Sequence, residues 1–255
     1  MTALYTSFFY QPIFNLLVFL YNVLPGTDLG VAIVLLTILI RLLLYPLSLK
    51  SIRAQRGLQE LQPKLDAIKK QYPGNREKQA EETMKLYREE KINPLSSCLP
   101  LLLQLPFLLA LFHVLRNVTD PSSLQDLYSF VARPALINPV GFFGLLNLNT
   151  PNVLVALLAG AAQFWQGHML SRRRPEVKDK SSKDEDFSAM VNQQMTYIMP
   201  VATIAIAWRF PSGVGIYWFL STFLLALQQW YIFRKKKTPT ATYEDKQQQA
   251  SRAQS

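Results

Sequence analysis

The sequence predicts an all-α integral membrane protein with five transmembrane helices, a cytoplasmic helical hairpin and an N-terminal interfacial helix. Three observations lead to this prediction. Apolar residues make up 49% of the 255-residue chain and are gathered into long runs that alternate with charged segments. Five runs are long enough to cross about 30 Å of hydrocarbon as helices that rise about 1.5 Å per residue. The basic residues fall between these runs in a one-sided pattern.

The apolar runs divide the chain into three parts. Residues 1–29 form an external segment, in which residues 12–24 are too short for a span and end at Pro25 and Gly26, as expected of an amphipathic helix in the membrane interface. Residues 30–233 form the five-span core, and residues 234–255 form a basic cytoplasmic tail that we expect to be disordered. The predicted spans are residues 30–49, 95–115, 153–170, 191–208 and 214–233. Residues 135–148, with Pro139, Gly141 and Gly144, predict an irregular interfacial cap.

The basic residues predict the topology. If the five spans alternate in direction, 23 of the 27 Lys and Arg residues lie on one side, in three groups between residues 50 and 91, 172 and 183, and 234 and 252. Arg116, Arg133 and Arg209 lie on the other side, and Arg41 lies within a span. Basic loops remain in the cytoplasm. We therefore expect the N-terminus outside and the C-terminus inside a bacterial plasma membrane, with a thylakoid membrane as a further possibility.

The first basic loop, residues 50–93, predicts an antiparallel helical hairpin. Its apolar residues recur in steps of three and four, which is the spacing of one helical seam. The sequence Tyr-Pro-Gly-Asn at residues 72–75 supplies a turn, and a second, weaker seam follows it. The hairpin is either a solvated spacer or a docking element for ribosomal, targeting or substrate components.

Several function classes find no support in the sequence. A net charge of +10 is compatible with nucleic-acid binding, but the basic residues lie between apolar runs and not on a soluble domain. Cys98 is the only cysteine, so the sequence holds no CxxC metal motif. His113 and His168 lie far apart in sequence, with no Asp or Glu close to either. We therefore expect no enzymatic activity, no cofactor and no metal site.

Arg41 is the residue that most requires a functional explanation. A charged side chain at the bilayer centre costs about 2.5–3.5 kcal/mol on insertion scales and usually faces a protein interior or a water-filled cavity. Arg41 precedes Lys50 by nine positions, which places it roughly 13 Å from the cytoplasmic end of its span. None of the five predicted spans contains Asp or Glu, so no intramembrane carboxylate can pair with it.

Uncharged polar residues in all but one of the predicted spans complete a candidate polar surface around Arg41. On its own helix, spacings of four, four and three place Thr37, Arg41, Tyr45 and Ser48 on one face. The other candidates are Ser97, Gln104, Gln163, Gln166, Tyr217, Ser221 and Gln228. Such a surface would keep Arg41 hydrated and accessible to an acidic group.

Two alternatives remain open at this point. Arg41 can have a structural role, tying helices together through Gln104 or Gln163, since polar side chains often join membrane helices. Alternatively, the chain is a small-anion transporter or channel that binds its solute at Arg41. The sequence shows no inverted repeat and no pair of interrupted helices that would favour a transporter.

Several blocks of sequence resemble the YidC/Oxa/Alb family of membrane insertases. They are residues 30–41 with Leu44-Tyr45-Pro46-Leu47, Leu61-Gln62-Pro63, Asn93-Pro94-Leu95, Cys98-Leu99-Pro100, Gln104-Leu105-Pro106, and Phe210-Pro211-Ser212-Gly213 with Tyr217-Trp218. The resemblance extends roughly from residue 8 to residue 237, with the blocks in the order and spacing of the family. Trp208 and Arg209 depart from it, because small or apolar residues are commoner there.

The resemblance implies a function that needs no covalent catalysis. Five helices would enclose a hydrophilic groove, open to the cytoplasm and to lipid, in which the intramembrane arginine attracts acidic residues of a substrate. The implied partners are nascent membrane proteins and the lipid bilayer, with the ribosome, targeting factors and a Sec-type translocon as further candidates. The basic tail either contacts ribosomes, as in the family, or only ends the last span.

Overall fold

The computed structural model describes residues 3–93, 99–118, 120–171 and 194–234. Over these residues the fold is all-α, apart from one antiparallel pair of two-residue strands. The helices are α1 (Ala3–Tyr5), α2 (Gln11–Val23), α3 (Leu29–Leu43), α4 (Tyr45–Glu60), α5 (Gln62–Gln71), α6 (Arg76–Glu89), α7 (Leu99–Asn117), α8 (Val153–Ser171), α9 (Met199–Ala207) and α10 (Ser212–Arg234). The strands are β1 (Val140–Gly141) and β2 (Leu146–Asn147), and a 3-10 turn covers Pro121–Asp126.

Helices α1 and α2 form one N-terminal rod, joined through a π-helical turn at Thr6–Tyr10. Its buried side packs on the core, whereas its exposed side also carries large apolar residues, such as Phe8 and Val23. The amides of Asn15 and Asn22 bond to the backbone of the segment that follows α7. The polar side chains of this rod therefore point towards the protein, and not outwards as in the interfacial helix predicted from sequence.

The helix that contains Arg41 is broken at Leu44. The sequence predicts one continuous helix over residues 30–49, but α3 ends at Leu43 and α4 begins at Tyr45, with a bend of 64°. Pro46 explains the break, because proline lacks the N–H that would bond to the carbonyl of Leu42 and its ring crowds that carbonyl. The prediction of a straight helix here is wrong.

Helices α5 and α6 form the projecting hairpin, with their turn at residues 72–75. Asn75 caps α6 by accepting a hydrogen bond from the Lys78 N–H at 3.0 Å. At the open end, Lys64 pairs with Glu90 at 2.5 Å. Leu61 and Leu86 are buried, so a small apolar contact supplements these polar ones.

The main core lies among α2, α3, α7, α10 and the loop that holds the strands. Its largest fully buried side chains include Phe14, Ile33, Leu36, Leu111 and Tyr217. A separate small core joins α8 to α9. This arrangement places the α3 residues around Arg41 against α7 and α10.

Helices α8 and α9 approach each other closely at Gly160. A Cβ at this position would lie 2.3 Å from Cγ1 of Ile204 and 3.2 Å from the Pro200 carbonyl oxygen. Glycine is required here because no side chain fits between the two helices. Small residues commonly allow such close approach between membrane helices.

Substitution of Gly160 should weaken this helix pair. We expect Gly160→Leu to force α8 and α9 apart and to destabilise the protein by about 2 kcal/mol or more, as overpacking of a tight core does. Thermal unfolding in detergent, followed by circular dichroism, measures the effect. The matched control is Ala161→Leu, since the neighbouring Ala161 is exposed on α8. Equal stability of the two variants would contradict the proposed steric requirement.

The membrane spans predicted from sequence are only partly visible in the helices. Among the described residues, no helix by itself has both the length and the apolar character of a membrane span. The bent pair α3 and α4 has both when its two helices are taken together. The count of five spans therefore stays a prediction.

Candidate functional site

Arg41 belongs to a short chain of hydrogen bonds that joins three helices. Its Nη2 donates to Oε1 of Gln104 at 3.0 Å, and Nε2 of Gln104 donates to the Tyr217 hydroxyl at 3.1 Å. Arg41 comes from the last turn of α3, Gln104 from α7 and Tyr217 from α10. The amide of Gln104 thus orients both of its neighbours at once, because its oxygen can only accept and its nitrogen can only donate.

No carboxylate takes part in this arrangement. Among the described residues, no Asp or Glu lies within ion-pair distance of Arg41. A guanidinium has five N–H donors, and the bond to Gln104 uses one of them. Arg41 is half-buried, so its positive charge is not neutralised by the described part of the protein and is not fully dispersed in solvent either.

The polar residues of α10 continue from Tyr217 along one face of the helix. Tyr217, Ser221 and Gln228 follow at spacings of four and seven, which bring them onto the same side. Tyr217 and Ser221 are fully buried, and Gln228 is partly buried. Ser221 Oγ and Gln228 Nε2 have no hydrogen-bond partner in the described structure. Buried polar atoms without partners are rare, and they mark a surface suited to polar ligands or water.

The polar stripe predicted along the Arg41 helix is interrupted. Thr37 is completely buried, and its hydroxyl donates to the Ile33 carbonyl at 2.7 Å. Tyr45 and Ser48 lie beyond the 64° bend, where Tyr45 is 47% exposed and Ser48 is buried. The prediction that these residues share one helical face with Arg41 is wrong, because Pro46 ends the common helix before Tyr45 is reached.

The remaining candidates do not join the Arg41 hydrogen bonds in the described structure. Gln163 and Gln166 both lie on α8 and are partly buried. Ser97 lies outside the described residues. The structure therefore brings together Arg41, Gln104 and Tyr217, with Ser221 one turn away.

A second polar contact, absent from the sequence prediction, joins α4 to α10. Nε2 of Gln229, which is fully buried, donates to Oε1 of Gln55 at 3.0 Å. Close by, Nη1 of Arg56 donates to the carbonyl of Ile232 near the end of α10. The pair of glutamines at residues 228 and 229, inside an apolar run, is the sequence signal that could have indicated this contact.

The opposite end of α3 is closed around Asp28, which the sequence prediction also missed. Asp28 is only 7% exposed and caps α3 by accepting from the Val31 N–H at 3.0 Å. It also accepts from the N–H groups of Phe142 at 2.9 Å and Phe143 at 2.6 Å. An aspartate directly before an apolar run is an N-cap signal that was readable in the sequence.

Asp28 is held in its charged form by these bonds. Burial alone raises the pKa of its carboxyl, but hydrogen bonds from the N–H groups of Phe143, Val31, Phe142 and Gly30 outweigh burial and lower the pKa below its usual value. The molecule thus has a closed end around Asp28 and, one helix length away, a polar region around Arg41.

The comparisons with known proteins identify the family. The family model described as 60Kd inner membrane protein matches residues 19–240. This chain is a member of that family. The match covers most of the chain, including α3, α7, α8, α9 and α10, so it contains all three residues of the Arg41 hydrogen-bond chain.

Curated relatives of this inner membrane family are named membrane protein insertase YidC. The chain is 33% identical over 231 residues to the relative from Fusobacterium nucleatum, which covers 90% of this chain and 98% of that one. It is 33% identical over 194 residues to the Clostridium tetani relative, with 76% of each covered. The relative from Streptomyces avermitilis is 34% identical, and the chain spans about half of its length, 53%. The predicted resemblance to YidC/Oxa/Alb insertases is confirmed.

Proposed function

We propose that this protein is a membrane insertase that receives the polar end of a substrate segment at Arg41 and releases its apolar part sideways into lipid. The observation that carries the proposal is the unneutralised guanidinium of Arg41, held by the uncharged Gln104 and Tyr217. The name of the curated relatives, membrane protein insertase YidC, supports the same activity.

The physical task of an insertase is to lower the barrier for polar groups. Backbone and charged groups without hydrogen bonds cost several kcal/mol each in hydrocarbon. A polar groove that reaches from the cytoplasm to Arg41 would shorten the distance over which those groups lack partners. The substrate's own apolar span of about 20 residues then drives its release into lipid.

The groove we propose is lined by Arg41, Gln104, Tyr217, Ser221 and Gln228. The last two support it because they bring unpartnered polar atoms to the same face of α10 as Tyr217. The Gln55 and Gln229 contact, beyond the bend in α3 and α4, would form its cytoplasmic end. Gln163, Gln166, Tyr45, Ser48, Ser97 and Thr37 are further groove candidates, but Thr37 would contribute only if α3 moved, since its hydroxyl is already bonded.

We further propose the topology on which this action depends. Five spans with the N-terminus outside would place the basic hairpin of α5 and α6 and the basic tail in the cytoplasm. The hairpin would then be available to the ribosome, a targeting factor or a Sec-type translocon. The closed end around Asp28 would face outwards and prevent the groove from becoming a pore.

The structural alternative for Arg41 has support as well, because Gln104 does tie α3 to α7 through it. One hydrogen bond leaves four donors of the guanidinium for other partners. A residue with a purely structural role would be better satisfied. We therefore favour a receptor role, in which Gln104 positions the guanidinium and the remaining donors meet the substrate.

Photo-crosslinking of stalled nascent chains tests the proposed groove. A photoreactive amino acid is placed at Ser221 or Gln228, on the polar face of α10, and at Leu227 or Tyr231, on its exposed side, as matched controls. We expect a substrate span stalled at the membrane to crosslink at the first pair several times more strongly than at the second. Crosslinks confined to the exposed pair would overturn the groove.

A further inference from the structure

The tip of the β1 to β2 hairpin, residues 142–145, exposes two large apolar side chains. Phe143 is 87% exposed and Leu145 is 85% exposed, among the highest values of any described large hydrophobic residue. Such exposure costs free energy in water, because each apolar side chain that remains unburied forgoes roughly 1.5–3 kcal/mol. A tip that holds both outwards therefore invites an explanation.

The backbone of this tip is strained in a way that maintains the exposure. Phe142 and Phe143 have φ values of 54° and 57°, and Gly144 has 93°. Bulky residues rarely adopt this left-handed conformation, which costs about 1–3 kcal/mol for each residue. Strain of this size persists only where the surroundings impose it, and it is concentrated at functional positions.

Asp28 imposes the conformation. Its carboxylate accepts hydrogen bonds from the consecutive N–H groups of Phe142 and Phe143, and successive N–H groups in such a turn form a natural anion site. The ring of Phe142 packs over Gly30, where a Cβ would lie 2.8 Å from the ring carbons. The turn is thus fixed to the start of α3 from below, and Phe143 and Leu145 are directed away from the protein.

The surroundings of the tip fit a phospholipid surface. Between residues 127 and 152 the only charged side chain is Arg133, which is exposed. The same end carries the exposed pair Trp208 and Arg209, since the N–H of Ser212 donates to the carbonyl of Thr150. Aromatic residues are enriched at membrane interfaces, and arginines there extend their charge towards lipid headgroups.

We propose that residues 142–145 are a lipid anchor, in which Asp28 holds Phe143 and Leu145 inserted at the boundary between headgroups and acyl chains. The partner is the bilayer itself, in the leaflet on the side of the α3 N-terminus. The exposed apolar residues at the start of α8, Val153 and Leu154, continue the same surface. This anchor would fix the height of α3, and hence of Arg41, relative to the membrane, whether or not Arg41 receives substrate.

Fluorescence quenching by lipid tests the anchor. A cysteine replaces Phe143 in a Cys98→Ser background, carries an environment-sensitive fluorophore, and is reconstituted in vesicles of phosphatidylethanolamine and phosphatidylglycerol. The quencher is a spin label on the phospholipid, either near the headgroup or deep in the acyl chain. We expect at least twofold stronger quenching by the shallow label than for the matched control Asn138→Cys, an exposed polar position of the same segment.

Two further measurements separate the anchor from its rivals. Addition of Asp28→Ala should reduce lipid quenching at position 143, while circular dichroism confirms that the helices are retained. If the fluorophore at position 143 is quenched by aqueous iodide as strongly as at position 138, the anchor is overturned. It is equally overturned if the fluorophore is shielded by a second copy of the chain, which energy transfer between labelled copies would reveal.

Discussion

Arg41→Ala should reduce insertion of substrates with acidic translocated tails by about tenfold or more. A hydrogen bond to a charged group contributes about 1.5–3 kcal/mol, and about 1.4 kcal/mol corresponds to a factor of ten. Substrates with neutral tails should lose much less, because they make no such bond. The measurement is insertion of both substrate classes into proteoliposomes, scored by protease protection of the tail. Equal activity of mutant and wild type on acidic tails would refute the electrostatic role.

Two further substitutions distinguish charge from structure at the same site. Arg41→Lys keeps the positive charge but loses the planar fork, so it should retain more activity than Arg41→Ala if charge dominates. Gln104→Glu has nearly the same shape, yet it places a carboxylate beside the guanidinium in place of Oε1, which now lies at 3.0 Å. We expect it to impair acidic substrates as Arg41→Ala does. Gln104→Glu with full activity would indicate that Arg41 only joins helices.

The same vesicles address the transporter alternative. A protein that carries a small anion at Arg41 would allow anion flux without any substrate polypeptide. We expect no Arg41-dependent flux of chloride or phosphate, because the end around Asp28 is closed. Flux abolished by Arg41→Ala, with insertion unchanged, would replace the insertase proposal.

Asp28→Ala should be the most destabilising single change at the closed end, by about 2–4 kcal/mol. It removes an N-cap, for which about 1 kcal/mol is typical, and leaves the N–H groups of Phe142 and Phe143 without their charged acceptor. Asp28→Asn should be intermediate, since an amide nitrogen then faces a donor. Thermal unfolding in detergent measures both. The matched control is Asp120→Ala, because Asp120 caps the 3-10 turn at an exposed position and its loss should change little.

The contribution of Asp28 should also depend on pH. Its folded pKa lies below the unfolded value, so the carboxylate stabilises the fold fully above about pH 4. As the pH falls through the lower folded pKa, the unfolded chain has already taken up the proton and the contribution is lost. Wild type should therefore lose stability in this acidic range relative to Asp28→Ala. Parallel pH profiles for the two proteins would contradict the assignment.

The sequence carried much of the site because composition and spacing are local properties. A single arginine in an apolar run, with no acidic residue in any predicted span, identified Arg41 before any coordinates were considered. Helical spacing on α10 placed Tyr217, Ser221 and Gln228 together, since that helix is continuous from Ser212 to Arg234. The same argument failed on α3 and α4. There the periodicity was extrapolated across Pro46, whose missing N–H changes the helix direction.

Contacts between distant segments could not be read from spacing. That Gln104 bonds both Arg41 and Tyr217 depends on how α3, α7 and α10 pack, across 63 and 113 positions of sequence. The use of the Thr37 hydroxyl by its own helix, and the pairing of Gln55 with Gln229, likewise follow from local geometry that a residue pattern does not encode.

The sequence by itself determined an all-α chain of the insertase family with one intramembrane arginine, because hydrophobic runs, charge distribution and motif order are written along the chain. Only the tertiary structure decided which polar groups meet that arginine, where its helix bends, and how Asp28 holds a strained apolar tip at the opposite end. Those features depend on distances between residues far apart in sequence, and packing alone sets such distances.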